Sequence, residues 1–155
     1  MKNLTLDRID REILNRLQAN GRMTNAELAE RVNLSPSACL RRIRALEKAG
    51  VIERYAALVN LAAIGKPNTV FVEISLNNQS EEALATFEQR AAECPDILEC
   101  HLMAGDFDYL LRLAITDTRD YERVHKTQLS RLPHVARIKS SFALRTVCKK
   151  TAIEF

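Results

Sequence analysis

Apolar positions in the first third of the chain recur at helical spacing. Leu6, Ile9, Ile13, Leu14 and Leu17 share one face, which predicts a first helix that Gly21 stops. Thr24-Asn25-Ala26-Glu27 then forms a capping box, in which hydroxyl and carboxylate each satisfy a backbone N–H at a helix start. The helix it opens is short, with Leu28, Ala29 and Val32 on its inner side. Ser35-Pro36 opens a third helix, Ser as N-cap and Pro at the first helical position. Cys39, Ile43 and Leu46 form its buried stripe, and Gly50 closes it.

Beyond Gly50 the pattern changes. Val51 to Val59 reads as a short strand or wing followed by a connector, and Gly65, Pro67 and Asn68 mark a boundary. Val70, Val72, Ile74 and Leu76 alternate as in a strand. Ser80 caps a helix through Ala92 that buries Ala83, Leu84 and Phe87, and Pro95 ends it. Strands follow over Ile97–Met103 and Tyr109–Ile115, with a turn at Gly105–Asp108 between them. Asp117 or Thr118 starts a helix carrying Tyr121, Val124, His125 and Leu129, Pro133 stops it, and Val135–Val147 supplies the last strand. The expected class is therefore α+β: an N-terminal winged helix-turn-helix domain plus a C-terminal ferredoxin-like β-α-β-β-α-β sandwich. The expected boundaries are 1–60 for the first domain, 61–68 for a linker and 69–155 for the second. Helices cover one face of the antiparallel sheet and leave the other for a partner subunit.

The helix from Pro36 to Lys48 carries the strongest functional signal. With Cys39, Ile43 and Leu46 turned inward, Ser37, Arg41, Arg44 and Lys48 fall on the opposite face, with Ala38, Arg42 and Ala45 beside them. Small residues near the N-terminus of such a helix permit close approach to a major groove, and arginines read guanine edges or clamp phosphates. Ser35, Ser37, Ala38, Arg41, Arg42, Arg44 and Lys48 are the expected contacts to double-stranded DNA. The other reading is a solvated basic face on a structural helix. Charge favours the nucleic-acid reading. The net charge of +3 is small, but residues 1–60 hold 11 Lys and Arg against 7 Asp and Glu, while the remainder is slightly acidic.

The turn after the second strand offers a second chemistry. Gly105 lets the backbone bend and expose N–H groups suited to a carboxylate, and Asp106 and Asp108 are acceptors suited to an ammonium. A zwitterionic amino acid needs both. The alternative is an ordinary Asp-rich hairpin turn.

Two stretches carry a family resemblance. Leu34-Ser35-Pro36-Ser37-Ala38-Cys39-Leu40-Arg41-Arg42-Ile43, with Leu46-Glu47-Lys48-Ala49-Gly50-Val51-Ile52, resembles the DNA-binding domain of the Lrp/AsnC family of leucine- and asparagine-responsive regulators. Gly105-Asp106-Phe107-Asp108-Tyr109-Leu110-Leu111 resembles that family's Gly-Asp-x-Asp-Tyr turn in its amino-acid-sensing domain. The resemblance spans nearly the whole chain, in the same order. It implies a sequence-specific transcriptional regulator whose assembly or DNA affinity is modulated by a small effector, a free amino acid, bound at an interface between dimers. The positions it implies are His101, Leu102 and Met103 as lining, Ala104 and Gly105 as backbone donors and Asp106 and Asp108 as polar contacts. Ser140 and Phe142 form a further wall. Leu102 and Met103 favour an apolar amino acid. The resemblance also implies a homodimer, assembling into an octamer of four dimers. Two reading heads about 34 Å apart suit a two-fold site over one helical turn.

Other chemistries find little support. His101, His125 and His134 with Cys94 and Cys100 lack metal-ligand spacing, so no metal or cofactor is expected. Cys39, Cys94, Cys100 and Cys148 contain no Cys-x-x-Cys pair and read as small buried hydrophobes in a reducing compartment. Ser130, His134 and Asp117 form a triad only by selection, and no nucleophile elbow or phosphate loop is present, so the chain is not read as an enzyme. The alternatives to a sensing regulator are an enzyme built on the ferredoxin-like domain and an architectural DNA-binding protein without an effector. A hydrophobic share of 46% and a charged share of 28% suit a globular chain. With no apolar run of membrane length and no signal-peptide core, the expected location is the cytoplasm, with no membrane partner.

Overall fold

A computed structural model describes residues 5–155, so the first four residues of the expected first domain lie outside the described part. The described residues form two compact units. One runs to Leu58 and also takes in Val147–Phe155; the other is Val59–Thr146.

The first unit holds α1 (Arg8–Ala19), α2 (Asn25–Arg31) and α3 (Pro36–Lys48). Each start is set by a side chain that accepts a backbone N–H: Asp7, Thr24 and Ser35 are the N-caps, and the first two complete capping boxes with Asp10 and Glu27. Two ends are set by a residue in the left-handed region. Asn33 has φ +54° and Gly50 φ +72°. After α2 the N–H groups of Asn33 and Leu34 return to the carbonyls of Glu30 and Ala29, and after α3 those of Gly50 and Val51 return to Glu47 and Leu46. Both are Schellman closures. The first of them makes the turn between α2 and α3 tight. Ile13, Leu14, Leu28, Ala29, Val32, Cys39 and Leu46 form the buried core, and Ile43 packs half-buried at its margin. Truncating a core residue such as Leu28 to Ala costs about 2–5 kcal/mol.

The strand expected over Val51–Val59 is not part of a sheet. The N–H groups of Val51 and Ile52 bond to the carbonyl of Leu46 at the end of α3, and residues 53–60 pair with no strand among the described residues. Extended backbone becomes a strand only when a neighbour supplies the ladder. The C-terminal segment belongs to this unit through α1: the side-chain amide of Gln18 donates to the carbonyl of Ile153 at 2.9 Å and accepts its N–H at 2.8 Å.

The second unit has the order β1 (Asn68–Leu76), α4 (Glu81–Ala92), β2 (Ile97–Leu102), β3 (Tyr109–Ile115), α5 (Thr118–Thr127), a 3-10 turn (Leu129–Arg131) and β4 (Val135–Phe142). The four strands are antiparallel in the order β2-β3-β1-β4. This is the expected ferredoxin-like topology. Alternation buries one face: Val70, Val72, Ile74 and Leu76 of β1 and Tyr109, Leu111, Leu113 and Ile115 of β3 pack against Phe87, Ala91, Val124, Leu129 and Leu132. The Phe87 and Tyr109 rings lie 4.4 Å apart, and the Tyr109 hydroxyl donates to Glu88 of α4 at 2.8 Å. The other face carries Phe71, Glu73, Ser75, Leu110 and Arg112.

Two expectations change here. The last strand ends at Phe142 rather than Val147, because β1 begins at Asn68 and the N–H of Ala143 makes the last bond, to the carbonyl of Thr69. Of the four cysteines only Cys39 is fully buried. Cys94 is half-buried, and Cys100 and Cys148 are exposed, Cys100 because β2 is an edge strand. Although its surface is open at the sheet edge, Cys100 faces the helix-covered side opposite Leu111, and partial desolvation there, with the Glu88 charge nearby, pushes its thiol up to about 11.

Candidate DNA-reading and effector sites

The tight turn and the Ser35 cap set where α3 begins. Ser35 Oγ accepts the N–H of Ala38 at 3.3 Å and lies 3.2 Å from Ser37 Oγ. Asn25 at the start of α2 donates to the carbonyl of Pro36 at 2.9 Å, which ties the two helices together where they approach each other. Cys39 and Leu46 fix the inner face at full burial. Ser35, Ser37, Arg41, Arg44 and Lys48 are exposed and Ala38 is half-buried. Arg41, Arg44 and Lys48 form no salt bridge among the described residues, so their charges are available to an anion. The ion pairs that do form involve other cations.

Arg42 is one of those other cations. Its Nη1 lies 2.7 Å from Asp10 Oδ1 and 2.8 Å from Asp7 Oδ2. The carboxyl of Asp7 is held below its usual range by the backbone N–H of Asp10 and then by the Arg42 guanidinium. The residue expected beside the DNA-reading face is thus engaged within its own unit. In the sequence, Asp7-x-x-Asp10 marks only the capping box of α1, and nothing in its spacing points to Arg42, 35 and 32 positions away.

In the second unit, Met103–Asp108 joins β2 to β3. The N–H of Met103 donates to the carbonyl of Asp108 at 2.8 Å, and the N–H of Asp108 donates to Ile74 at 2.9 Å. Both oxygens of the Asp108 carboxylate are occupied, one by the N–H of Leu76 at 2.6 Å and the other by Gln79 Nε2 at 2.7 Å. Asp108 thus fastens the turn to the end of β1. Asp106 differs: it is exposed, and its carboxylate has no hydrogen bond or ion pair among the described residues. The N–H groups of Ala104 and Gly105 are also unbonded among the described residues, and a Cβ at Gly105 would meet open space.

A cavity of about 330 Å³ opens beside Asp106, lined also by Glu73, Ser75, Phe107, Arg137 and Lys139. Lys139 pairs with Glu73 at 2.9 Å, while Arg137 forms no ion pair among the described residues. This cavity lies on the sheet face away from the helices, since its β1 members alternate with the buried Val72, Ile74 and Leu76.

The remaining expected effector residues separate. His101 shares the open face with Leu110, its cross-strand partner, and lies 3.6 Å from Glu99. Leu102 sits opposite the buried Tyr109 on the other face and is exposed at the edge of the sheet, as is Met103 just beyond it. Ser140 and Phe142 pair with Val72 and Val70, on the helix-covered face, where Tyr121 hydrogen-bonds Ser140 and meets the Phe142 ring edge-on at 5.1 Å. Because Tyr109 pairs with Ile74, Phe142 stands four residues along β1 from the turn. One chain therefore does not bring Ser140 and Phe142 to Asp106.

Among the described residues no group of three or more His, Cys, Asp or Glu side chains is placed to hold a metal ion, and no helix is long and apolar enough to cross a membrane.

Both units are similar to known proteins. Residues 6–53 match the winged helix-turn-helix DNA-binding model, and residues 69–153 match the Lrp/AsnC ligand binding domain model. The leucine-responsive regulatory protein of Escherichia coli is 46% identical over 130 residues, covering 84% of this chain and 79% of the relative. Among solved structures, the transcriptional regulator NMB0573 of Neisseria meningitidis in complex with L-Met superposes with a TM-score of 0.89. It is 37% identical, over 96% of each chain. An AsnC family transcriptional regulator from Agrobacterium tumefaciens has the same TM-score at 35% identity, again over 96% of each chain.

Proposed function

The chain belongs to the Lrp/AsnC family of transcription regulators, with a DNA-binding unit and an amino-acid-binding unit, and from that premise we propose which residues carry each task. The face of α3 bearing Ser37, Arg41, Arg44 and Lys48 enters the major groove, with Ser35 and Ala38 at its leading end. A free amino acid binds at the Met103–Asp108 turn. Its carboxylate takes the unbonded N–H groups of Ala104 and Gly105, and its ammonium takes Asp106.

The observation that carries the effector assignment is the contrast between the two acids of the turn. Asp108 is fully engaged, while Asp106 and two neighbouring backbone donors are not. The related N. meningitidis regulator was solved with L-Met, which supports an amino acid as ligand. His101, Leu102 and Met103 flank the turn, His101 from the open face and Leu102 and Met103 from the exposed edge of the sheet. Ser140 and Phe142 reach it from a second copy of the chain, because within one chain they lie on the helix-covered face, against Tyr121, and not on the face that opens beside Asp106.

The protein works as a homodimer, assembled further into four dimers, in the cytoplasm beside its DNA. An effector held between subunits changes DNA affinity by favouring one assembly over another. No catalytic step forms part of this reading.

Calorimetric titration of each free amino acid into the intact protein and into Asp106→Ala tests the assignment. Binding by the parent and loss of binding in the variant is the expected result. Unchanged affinity in Asp106→Ala would remove this carboxylate from the site.

A further inference from the structure

The capping box that starts α1 also holds α3. Asp7 Oδ1 accepts the N–H of Asp10 at 2.8 Å, and Asp10 Oδ2 accepts the N–H of Asp7 at 3.2 Å. The two remaining oxygens, Asp7 Oδ2 and Asp10 Oδ1, converge on Nη1 of Arg42 at 2.8 and 2.7 Å. All four carboxylate oxygens are thereby used. The Asp10 side chain is only 12% exposed, and Arg42 is 30% exposed. Charge-assisted bonds of this length in a partly buried place are directional, whereas the apolar contacts of Cys39 and Leu46 are not.

We propose that Arg42 is a positioning residue of the DNA-reading unit rather than a DNA contact: seated in the Asp7–Asp10 box, it fixes the rotation of α3 about its own axis. Arg42 follows Arg41 by about 100° around the helix. Holding the one on the flank sets the direction of the other, and with it Ser37, Arg44 and Lys48. A reading helix whose orientation drifts still meets phosphates but loses base-edge geometry. The inference rests on α3 being the reading helix, and Arg41→Ala below tests that reading separately.

The charges give the test an informative sign. Replacing both acids, Asp7→Asn with Asp10→Asn, makes the unit more basic by two charges. Electrostatics alone would tighten DNA binding. Asn is as good an N-cap as Asp, so the start of α1 is kept. The probes are a duplex selected by the intact protein from a random library and a random duplex of equal length, at fixed salt.

The double variant is expected to lose about tenfold or more in affinity for the selected duplex while holding or gaining affinity for the random one. Because one nitrogen of Arg42 makes both contacts, an ammonium can take its place. Arg42→Lys should therefore keep discrimination within about threefold, and Arg42→Gln should lose it. This pair decides the matter even if the double variant does not fold. A double variant that binds the selected duplex as tightly as the parent would overturn the proposal. So would an Arg42→Lys that discriminates no better than Arg42→Gln, or an Arg42→Gln whose salt slope falls by about one counterion on both duplexes.

Discussion

The carboxylate of Asp108 accepts the N–H of Leu76 at 2.6 Å, so the turn between β2 and β3 is fastened to the C-terminal end of β1. Its second oxygen takes the Gln79 amide, and its own N–H donates to Ile74. An acid that the sequence groups with Asp106 as an ammonium acceptor is thereby committed to the backbone.

Asp108→Ala is accordingly expected to destabilise the second unit by roughly 1.5–3 kcal/mol, the scale of hydrogen bonds to a charged group. Asp106→Ala should leave the melting temperature within about 1 °C of the parent, since surface changes away from such contacts are small. Thermal unfolding of the two variants side by side separates these outcomes. Equal loss in both would contradict the division of labour.

Arg41 is exposed and unpaired among the described residues, whereas Arg42 is engaged. Arg41→Ala should weaken operator binding by about 1–3 kcal/mol if it reads a base, with circular dichroism and oligomer size unchanged. Unaltered affinity at fixed salt would exclude it as a reader. For the parent, affinity should fall log-linearly with salt, because Arg41, Arg44 and Lys48 displace counterions from phosphates. A flat dependence would move the contact surface off α3.

A buried acid, Asp96, held by partly exposed cations, makes the stability of the second unit depend on pH. Burial pushes the carboxyl of Asp96 up. Hydrogen bonds from Lys66, Arg123 and Gln128, at 2.9, 3.0 and 2.6 Å, outweigh that and hold it below its usual range. A lowered folded-state value means the unfolded chain binds the proton first. The stabilisation is therefore present above the unfolded value of about 3.9 and is lost as pH falls through the folded one. Chemical denaturation at a series of pH values below 5 should show the parent losing stability that Asp96→Asn has already lost. Parallel curves for the two proteins would contradict it.

Much of this fold was legible in the sequence because its signals are local. Thr24 with Glu27 and Ser35 with Pro36 mark helix starts by chemistry confined to one turn, and the structure places them there. The strand alternation from Val70 to Leu76 survives for the same reason, since period two follows directly from burying one face. What the sequence left hidden depends on distant partners. The end of β4 is set by where β1 begins, the duty of Arg42 by acids 32 and 35 positions away, and that of Asp108 by an N–H 32 positions away. Spacing along the chain carries no mark of such pairings. It could bring Asp106 and Asp108 together as two like acids but could not tell the occupied one from the open one.

An amino acid bound in the second unit is expected to change how the first holds DNA. The deciding measurement is the operator affinity of the intact protein with and without each of the twenty free amino acids at saturation. At least one amino acid is expected to shift the operator Kd by about 5–150-fold, the usual range of allosteric coupling, and Asp106→Ala to abolish the shift. An operator Kd that none of the twenty moves would contradict it.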